Sequence, residues 1–238
     1  MSHLLRLTII LIMTWPFVGV MAKTIDFSAA RKKMVQTQLI ERSLLDSRLL
    51  DAFGRVERHL FVDRQYWPKA YADIELPIGF DQKIESPYVV AFLTQVIAAR
   101  HDQRVLEIGT GTGYQAAILS LMVKEVFSIE LIPKLGEQAE ERLNRLGYSN
   151  VQTKIGNGYL GWKDFAPFDG IIVTCSPDHI PQALIDQLAI GGRMVIPVSF
   201  STKVEETILI EKKKDGRLKK TNLVPPQFVP LFRGQNEF

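Results

Sequence analysis

The sequence predicts a doubly wound α/β fold, a mostly parallel sheet covered by helices on both faces, with an added helical N-terminal region. Three observations predict it. From residue 87 onward, short apolar runs alternate with helical patterns, which requires a parallel sheet buried on both faces. A glycine-cornered turn, "VLEIGTGTGYQAA", joins one of these strands to the helix after it. Toward the C-terminus the pattern changes to runs that read as antiparallel strands closing one edge.

In chain order, "MSHLLRLTIILIMTWPFVGVMA" (residues 1–22) has a basic start ending at Arg6, an apolar run from Leu7, and small residues before Lys23. It resembles a secretory signal peptide and is short for a membrane span. The competing reading takes Met21 as the start and residues 1–20 as an over-extended frame. On either reading residues 1–22 stand outside the fold, and 23–238 form a single domain.

Residues 23–80 read as a helical N-terminal region and 81–238 as the α/β core. Ser28 is the expected cap of "AARKKMVQTQLIER", in which Met34, Val35, Leu39 and Ile40 make a partial apolar stripe. "DSRLLDAFGRV" is a second short helix, and "HLFV" and "DIELPIGF" read as extended pieces. Ser86 then caps "PYVVAFLTQVIAA", with Pro87 at the first helical position.

The core follows as "RVLEIG" (strand), "GYQAAILSLMV" (helix), "EVFSIE" (strand) and "PKLGEQAEERLNRLG" (helix, closed by Gly147). Next come "VQTKIG" and "FDGIIVTC" as strands, "PQALIDQL" as a helix and "GGRMVIPV" as a strand. "EETILIEKK", "GRLKKTNLV" and "QFVPLF" are the antiparallel closing strands.

Composition narrows the function. The net charge of +3 is slight, and the densest basic run, "EKKKDGRLKK", is broken by the hairpin turn Asp215-Gly216. It reads as a solvated strand pair, so nucleic acid is not the expected partner. Cys175 is the one cysteine, so no intramolecular disulfide forms, and "VTCSP" favours a packing role over a nucleophile. His3, His59, His101 and His179 lack metal-ligand spacing, so no metal is expected. Trp162 reads as a structural plug, and Asp178 as solvated.

The glycine loop is the strongest signal. A strand ends at Ile108, and Gly109, Gly111 and Gly113 turn the chain into a helix. The spacing is G-x-G-x-G, where the dinucleotide fingerprint is G-x-G-x-x-G, which disfavours a nicotinamide oxidoreductase. Glu130 ends the next strand, where an acid accepts hydrogen bonds from ribose hydroxyls. With Glu107 at the approach to the loop, the pattern favours S-adenosylmethionine, a cation without pyrophosphate.

Together "LPIG" (76–79), "VLEIGTGTGYQAAIL" (105–119), "GNGYLGW" (156–162), "APFDGIIVT" (166–174), "IPQALIDQL" (180–188), "GGRMVIPV" (191–198) and "FVPL" (228–231) resemble a protein-L-isoaspartate O-methyltransferase. The resemblance runs over nearly all of residues 30–235. It implies a seven-stranded, mostly parallel sheet, S-adenosylmethionine as donor, and a damaged aspartyl residue of a protein or peptide as acceptor. It implies that Glu107, Gly109, Thr110, Gly111 and Gly113 hold the methionine part, that Glu130 binds the ribose, and that Gly156, Asn157 and Gly158 lie by the adenine. The family usually has Asp where this chain has Asn157, so weaker adenine binding is expected. Ile84, Pro87, Thr174 and Ser199 fall on the acceptor side, with Thr202 in the same loop as Ser199. A monomer in the cytoplasm is the family expectation, in conflict with the signal-like start.

The larger departure is "DQKIESP", residues 81–87, where the family reads G-Q-T-I-S-x-P. Lys83 takes the place of a Thr and Glu85 that of the active-site Ser, on one face if the chain is extended. An ionised Glu repels an acceptor carboxylate by on the order of 4 kcal/mol at ~4 Å and an effective dielectric near ~20. Borne by the transition state, that loss approaches about a thousandfold. Either Glu85 is held protonated, or Lys83 neutralises it, and the paired change argues for the second. The outcome is a divergent methyltransferase or a module that binds S-adenosylmethionine and polypeptide without turnover.

Overall fold

The computed structural model describes residues 25–201 and 204–223. The signal-like segment 1–22, Thr202, "QFVPLF" and its "FVPL" lie outside them. Among the described residues no helix is long and apolar enough to cross a membrane.

The first helix, α1 (Phe27–Met34), is capped by Asp26 and not by Ser28. Asp26 is extended, and its Oδ1 accepts from the Ala29 N–H at 2.9 Å, which leaves Ser28 inside the first turn. The helix does not continue regularly through "AARKKMVQTQLIER". It widens to a π segment at Val35–Leu39, tightens at Ile40–Arg42 and stops at left-handed Ser43. Helix α2 (Ser47–Arg55) follows behind the Asp46 cap.

"HLFV" is not extended: Arg58–Phe61 is a 3-10 turn. Arg58, His59 and Phe61 are all buried, a spacing that the alternating faces of a strand cannot serve. Strands β1 (Leu76–Gly79) and β2 (Gln82–Ile84) then form a separate antiparallel hairpin. Helix α3 (Pro87–Ile97) starts as expected, the Ser86 hydroxyl accepting from the Val89 N–H.

The core strands are β3 (Arg104–Ile108), β4 (Glu125–Glu130), β5 (Val151–Ile155), β6 (Phe168–Val173), β7 (Leu188–Ser201), β8 (Val204–Lys212) and β9 (Leu218–Leu223). Between them lie α4 (Tyr114–Ser120), α5 (Pro133–Arg145) and α6 (Gln182–Gln187). The seven-stranded sheet runs β5-β4-β3-β6-β7-β8-β9. Pairings among β3 to β7 are parallel, and β8 and β9 are antiparallel additions. Strand order reverses at β3, so a crevice opens beyond its C-terminal end.

Two cores form, one on each face. Leu106, Ile108, Phe127 and Ile129 pack on one side, with the Trp162 and Phe165 rings against Phe127. Val105 and Val126 face the other, with α3, α4 and the N-terminal region. Each fully buried Val or Leu contributes roughly 1.5–3 kcal/mol. Strand alternation therefore puts Glu107, Ser128 and Glu130 on the second face, beneath the N-terminal region.

Candidate active site

The floor of the crevice is the turn after β3. The Gly109 N–H donates to the Ile129 carbonyl at 2.8 Å, and Gly109 has φ +98°. A Cβ there would collide with the Thr174 hydroxyl, which donates to the Ile108 and Gly109 carbonyls at 2.9 and 3.0 Å. Glycine is needed here on both counts.

Glu130 clamps the loop. Its Oε2 accepts from the Gly111 N–H at 2.8 Å and its Oε1 from the Ile132 N–H at 3.0 Å. A second chain of contacts lies deeper: the Thr110 and Ser128 hydroxyls are 2.6 Å apart, and Ser128 donates to Glu107 Oε2. From behind, Arg142 Nη1 donates to the Thr112 carbonyl at 2.8 Å.

A cavity of about 250 Å³ stands over this floor. Of the residues expected at the site, it brings together Lys83, Ile84, Glu85, Glu107, Gly109, Thr110, Gly111, Glu130, Asn157, Gly158 and Thr174. Four do not line it. Gly113 is the left-handed N-cap of α4, packed so that a Cβ would meet Leu143 at 3.0 Å. Gly156 stops short of the cavity, its N–H donating to the Glu130 carbonyl at 2.8 Å. Pro87 is buried in the first turn of α3, and the Ser199 N–H donates to the Pro177 carbonyl at 2.9 Å. Sequence reasoning missed Ile78, Leu131, Tyr114, Gln115, Tyr159 and the wall position of Cys175. Leu131 carried a usable signal, an apolar residue directly after the strand-ending acid and 68% exposed.

Lys83 is the main correction. Its Nζ makes an ion pair with Glu75 Oε2 at 3.0 Å across the hairpin, so its charge is not reserved for Glu85. A second cation is Arg58, which is fully buried. Its Nε donates to the Ala70 carbonyl at 2.8 Å, and its guanidinium carbon is 5.0 Å from the centre of the Tyr114 ring. Burial pulls the Arg58 pKa down, opposed by the fields of Tyr114 and Glu85. Nη1 has no hydrogen-bond partner.

Four buried polar atoms on cavity-lining residues also lack partners: Glu107 Oε1, Thr112 Oγ1, the Tyr114 hydroxyl and Gln115 Oε1. Leaving such atoms unpaired costs about 1–3 kcal/mol each, so the cavity is built for a polar ligand. Burial raises the Glu107 carboxyl to about 8, Ser128 opposing and the Glu130 charge adding to the rise. A bound cation would ionise that acid. The unpartnered hydroxyls of Thr112 and Tyr114, the acceptors on Glu107 and Gln115, and the exposed apolar Leu131 fit an adenosyl sulfonium. Asn157 Oδ1 already accepts from the Tyr159 N–H at 2.9 Å, leaving one lone pair for an adenine amino group.

Burial pushes the Cys175 thiol up to about 11, which keeps it protonated and supports packing over nucleophilic chemistry. Among the described residues no group of three or more His, Cys, Asp or Glu could hold a metal ion.

Residues 29–236 match the model of the family described as protein-L-isoaspartate(D-aspartate) O-methyltransferase. Two proteins of Syntrophobacter fumaroxidans are similar. Its protein-L-isoaspartate O-methyltransferase 2 is 46% identical over 87% of this chain and 88% of its own length. Its protein-L-isoaspartate O-methyltransferase 1 is 47% identical over 87% and 96%. A solved protein-L-isoaspartate O-methyltransferase superposes with TM-score 0.76 at 29% identity, over 84% of this chain and 65% of that one. A putative one from Plasmodium falciparum, in complex with S-adenosyl-L-homocysteine, shares the fold at TM-score 0.73 and 20% identity, over 89% of this chain and 100% of that one.

Proposed function

The chain belongs to the protein-L-isoaspartate(D-aspartate) O-methyltransferase family, and on that premise we propose which of its residues carry the reaction. The reaction transfers a methyl group from S-adenosylmethionine to the free carboxylate of L-isoaspartyl or D-aspartyl residues in damaged proteins, which starts their repair. When bound, S-adenosylmethionine supplies an electrophilic methyl group on a sulfonium.

Glu107 and the Gly109–Gly111 turn receive the methionine part, Glu130 the ribose, and Asn157 and Gly158 the adenine. The acceptor carboxylate is already ionised at neutral pH, so no general base is required. The work of the protein is to hold nucleophile and methyl carbon in line with water excluded. Ile84 and Thr174 shape the acceptor side, and Lys83 and Glu85 set its charge. The observation that carries this reading is the cavity at the strand-order reversal, walled on one side by the Glu130-clamped loop and on the other by the hairpin.

Isothermal titration with S-adenosylmethionine and an isoaspartyl peptide, followed by assay of methyl ester, tests it. Binding of both with ester formation is the expected result. An anion at position 85 favours a second reading, a polypeptide-binding module, which predicts binding without ester. Replacing the pair, Lys83→Thr with Glu85→Ser, is expected to raise the ester rate several-fold. Equal rates would show that the pair does not limit catalysis.

Supply of the donor favours the cytoplasm, whereas an exported form would lack one. N-terminal sequencing of the mature protein decides between them.

A further inference from the structure

Resting on that reading, we propose that Gln115 recognises the amino group of the donor. Its Oε1 accepts a hydrogen bond from the α-ammonium of the methionine part, and Thr94 is the positioning residue that turns it there. Gln115 lies in the first turn of α4 and is only 6% exposed. Its Nε2 donates to the Thr94 hydroxyl on α3 at 2.7 Å. That hydroxyl donates in turn to the Val90 carbonyl, also at 2.7 Å. A carbonyl can only accept, so the one hydroxyl proton is committed to Val90, and toward Gln115 the hydroxyl can only accept. The amide is thereby fixed with its nitrogen on Thr94. Its oxygen is left buried and without a partner. Such an oxygen is costly in an empty cavity, and packing alone would be served as well by a Leu.

The topology says which part of the donor this oxygen meets. The Gln115 side chain crosses from α4 to α3, and it lines the cavity beside Val90 and Leu93 of α3. Helix α3 lies over the β6 and β7 side of the sheet. A Cβ on Gly170 of β6 would meet Ile97 at 3.1 Å, and Arg193 of β7 donates to the Val96 carbonyl. Glu130 and Asn157, assigned above to ribose and adenine, stand at or just past the ends of β4 and β5, on the opposite side of β3. A ligand laid from β5 across β4 to β3 therefore brings its amino-acid end toward Gln115. The carboxylate of that end can only accept and would oppose the amide oxygen, whereas the ammonium can only donate. Glu107 answers the charge of the ammonium, and a neutral oxygen held by a relay answers its direction.

Calorimetric Kd values for S-adenosyl-L-homocysteine, and for its analogue with hydrogen in place of the amino group, test this through their ratio. Wild type is expected to favour the amino-bearing ligand by at least about thirtyfold. Gln115→Leu should cut that preference about tenfold, almost wholly by weakening S-adenosyl-L-homocysteine. Thr94→Val, outside the cavity lining, keeps the acceptor but frees the amide to turn, and should cut the preference about threefold. A purely structural role would weaken both ligands together and leave the ratio unmoved. The same ratio in wild type and Gln115→Leu overturns the inference alone. Where Gln115→Leu binds neither ligand, Thr94→Val decides, and an unchanged ratio there overturns the inference. Wild type that binds neither ligand overturns the donor assignment and the inference with it.

Discussion

At the end proposed for the donor, the crevice is made mainly by one stretch of chain, Glu107 to Leu135, joined by Asn157 to Tyr159. The wall proposed for the acceptor carries Lys83 and Glu85, with Glu75 paired to Lys83 and Arg58 buried beside Tyr114. The donor end works through backbone: a left-handed Gly109, N–H groups of Gly111 and Ile132, and a carboxylate that pins them. The acceptor wall works through charged side chains. Backbone geometry leaves few residue types open at a position, whereas a position that acts through side-chain charge can be exchanged more freely.

The sharpest way to break this contrast is at Gly109. Gly109→Val puts a side chain into the Thr174 hydroxyl at a φ of +98°. S-adenosylmethionine affinity, read by calorimetry, should fall at least about a hundredfold through strain and collision together. Retained affinity would show that the loop adapts and that the donor end is no stiffer than the acceptor wall.

Glu107 sharpens the contrast through pH. The folded chain keeps its proton up to about 8, whereas 4.5 is the ordinary value for an exposed glutamate. Between these values the folded state binds more protons than the unfolded one. Stability of the ligand-free protein therefore falls as pH rises from about 4.5 to about 8 and levels off above, by on the order of a few kcal/mol. Urea midpoints at pH 5 and 8.5 should show the loss in wild type and a much smaller one in Glu107→Gln, which stays neutral. The smallest effect is expected at Asn157, which is exposed at the rim and already bonded to Tyr159. Asn157→Asp should tighten S-adenosylmethionine about two- to fivefold, within roughly 1 kcal/mol.

The donor end was legible in the sequence because its signals are local. The strand period, the glycines and the terminal acid lie within one βαβ unit, and Glu107, Gly109, Thr110, Gly111 and Glu130 all line the cavity. Even there, two motif glycines misled: Gly113 serves helix packing and Gly156 the strand's hydrogen bonds. The acceptor wall was legible only as a departure from the family pattern. That Lys83 turns to Glu75 depends on the pairing of β1 with β2, which places Pro77 opposite Lys83. Nothing near Arg58 in the chain signals that it will be buried beside Tyr114. The cap at Asp26 was missed for a simpler reason, since two good cap residues stand two positions apart and only backbone angles choose between them.

The hairpin that carries Lys83 and Glu85 is not part of the large sheet; it is a two-stranded ribbon of its own, and its outer ion pair is half in solvent. Ribbons of that size have little cooperativity to draw on. On gentle warming the protein should therefore forget its polypeptide before it forgets its nucleoside. A preparation that still binds S-adenosylmethionine tightly but no longer esterifies would then be a ripened stage of unfolding, recoverable on cooling, and not an inactive enzyme.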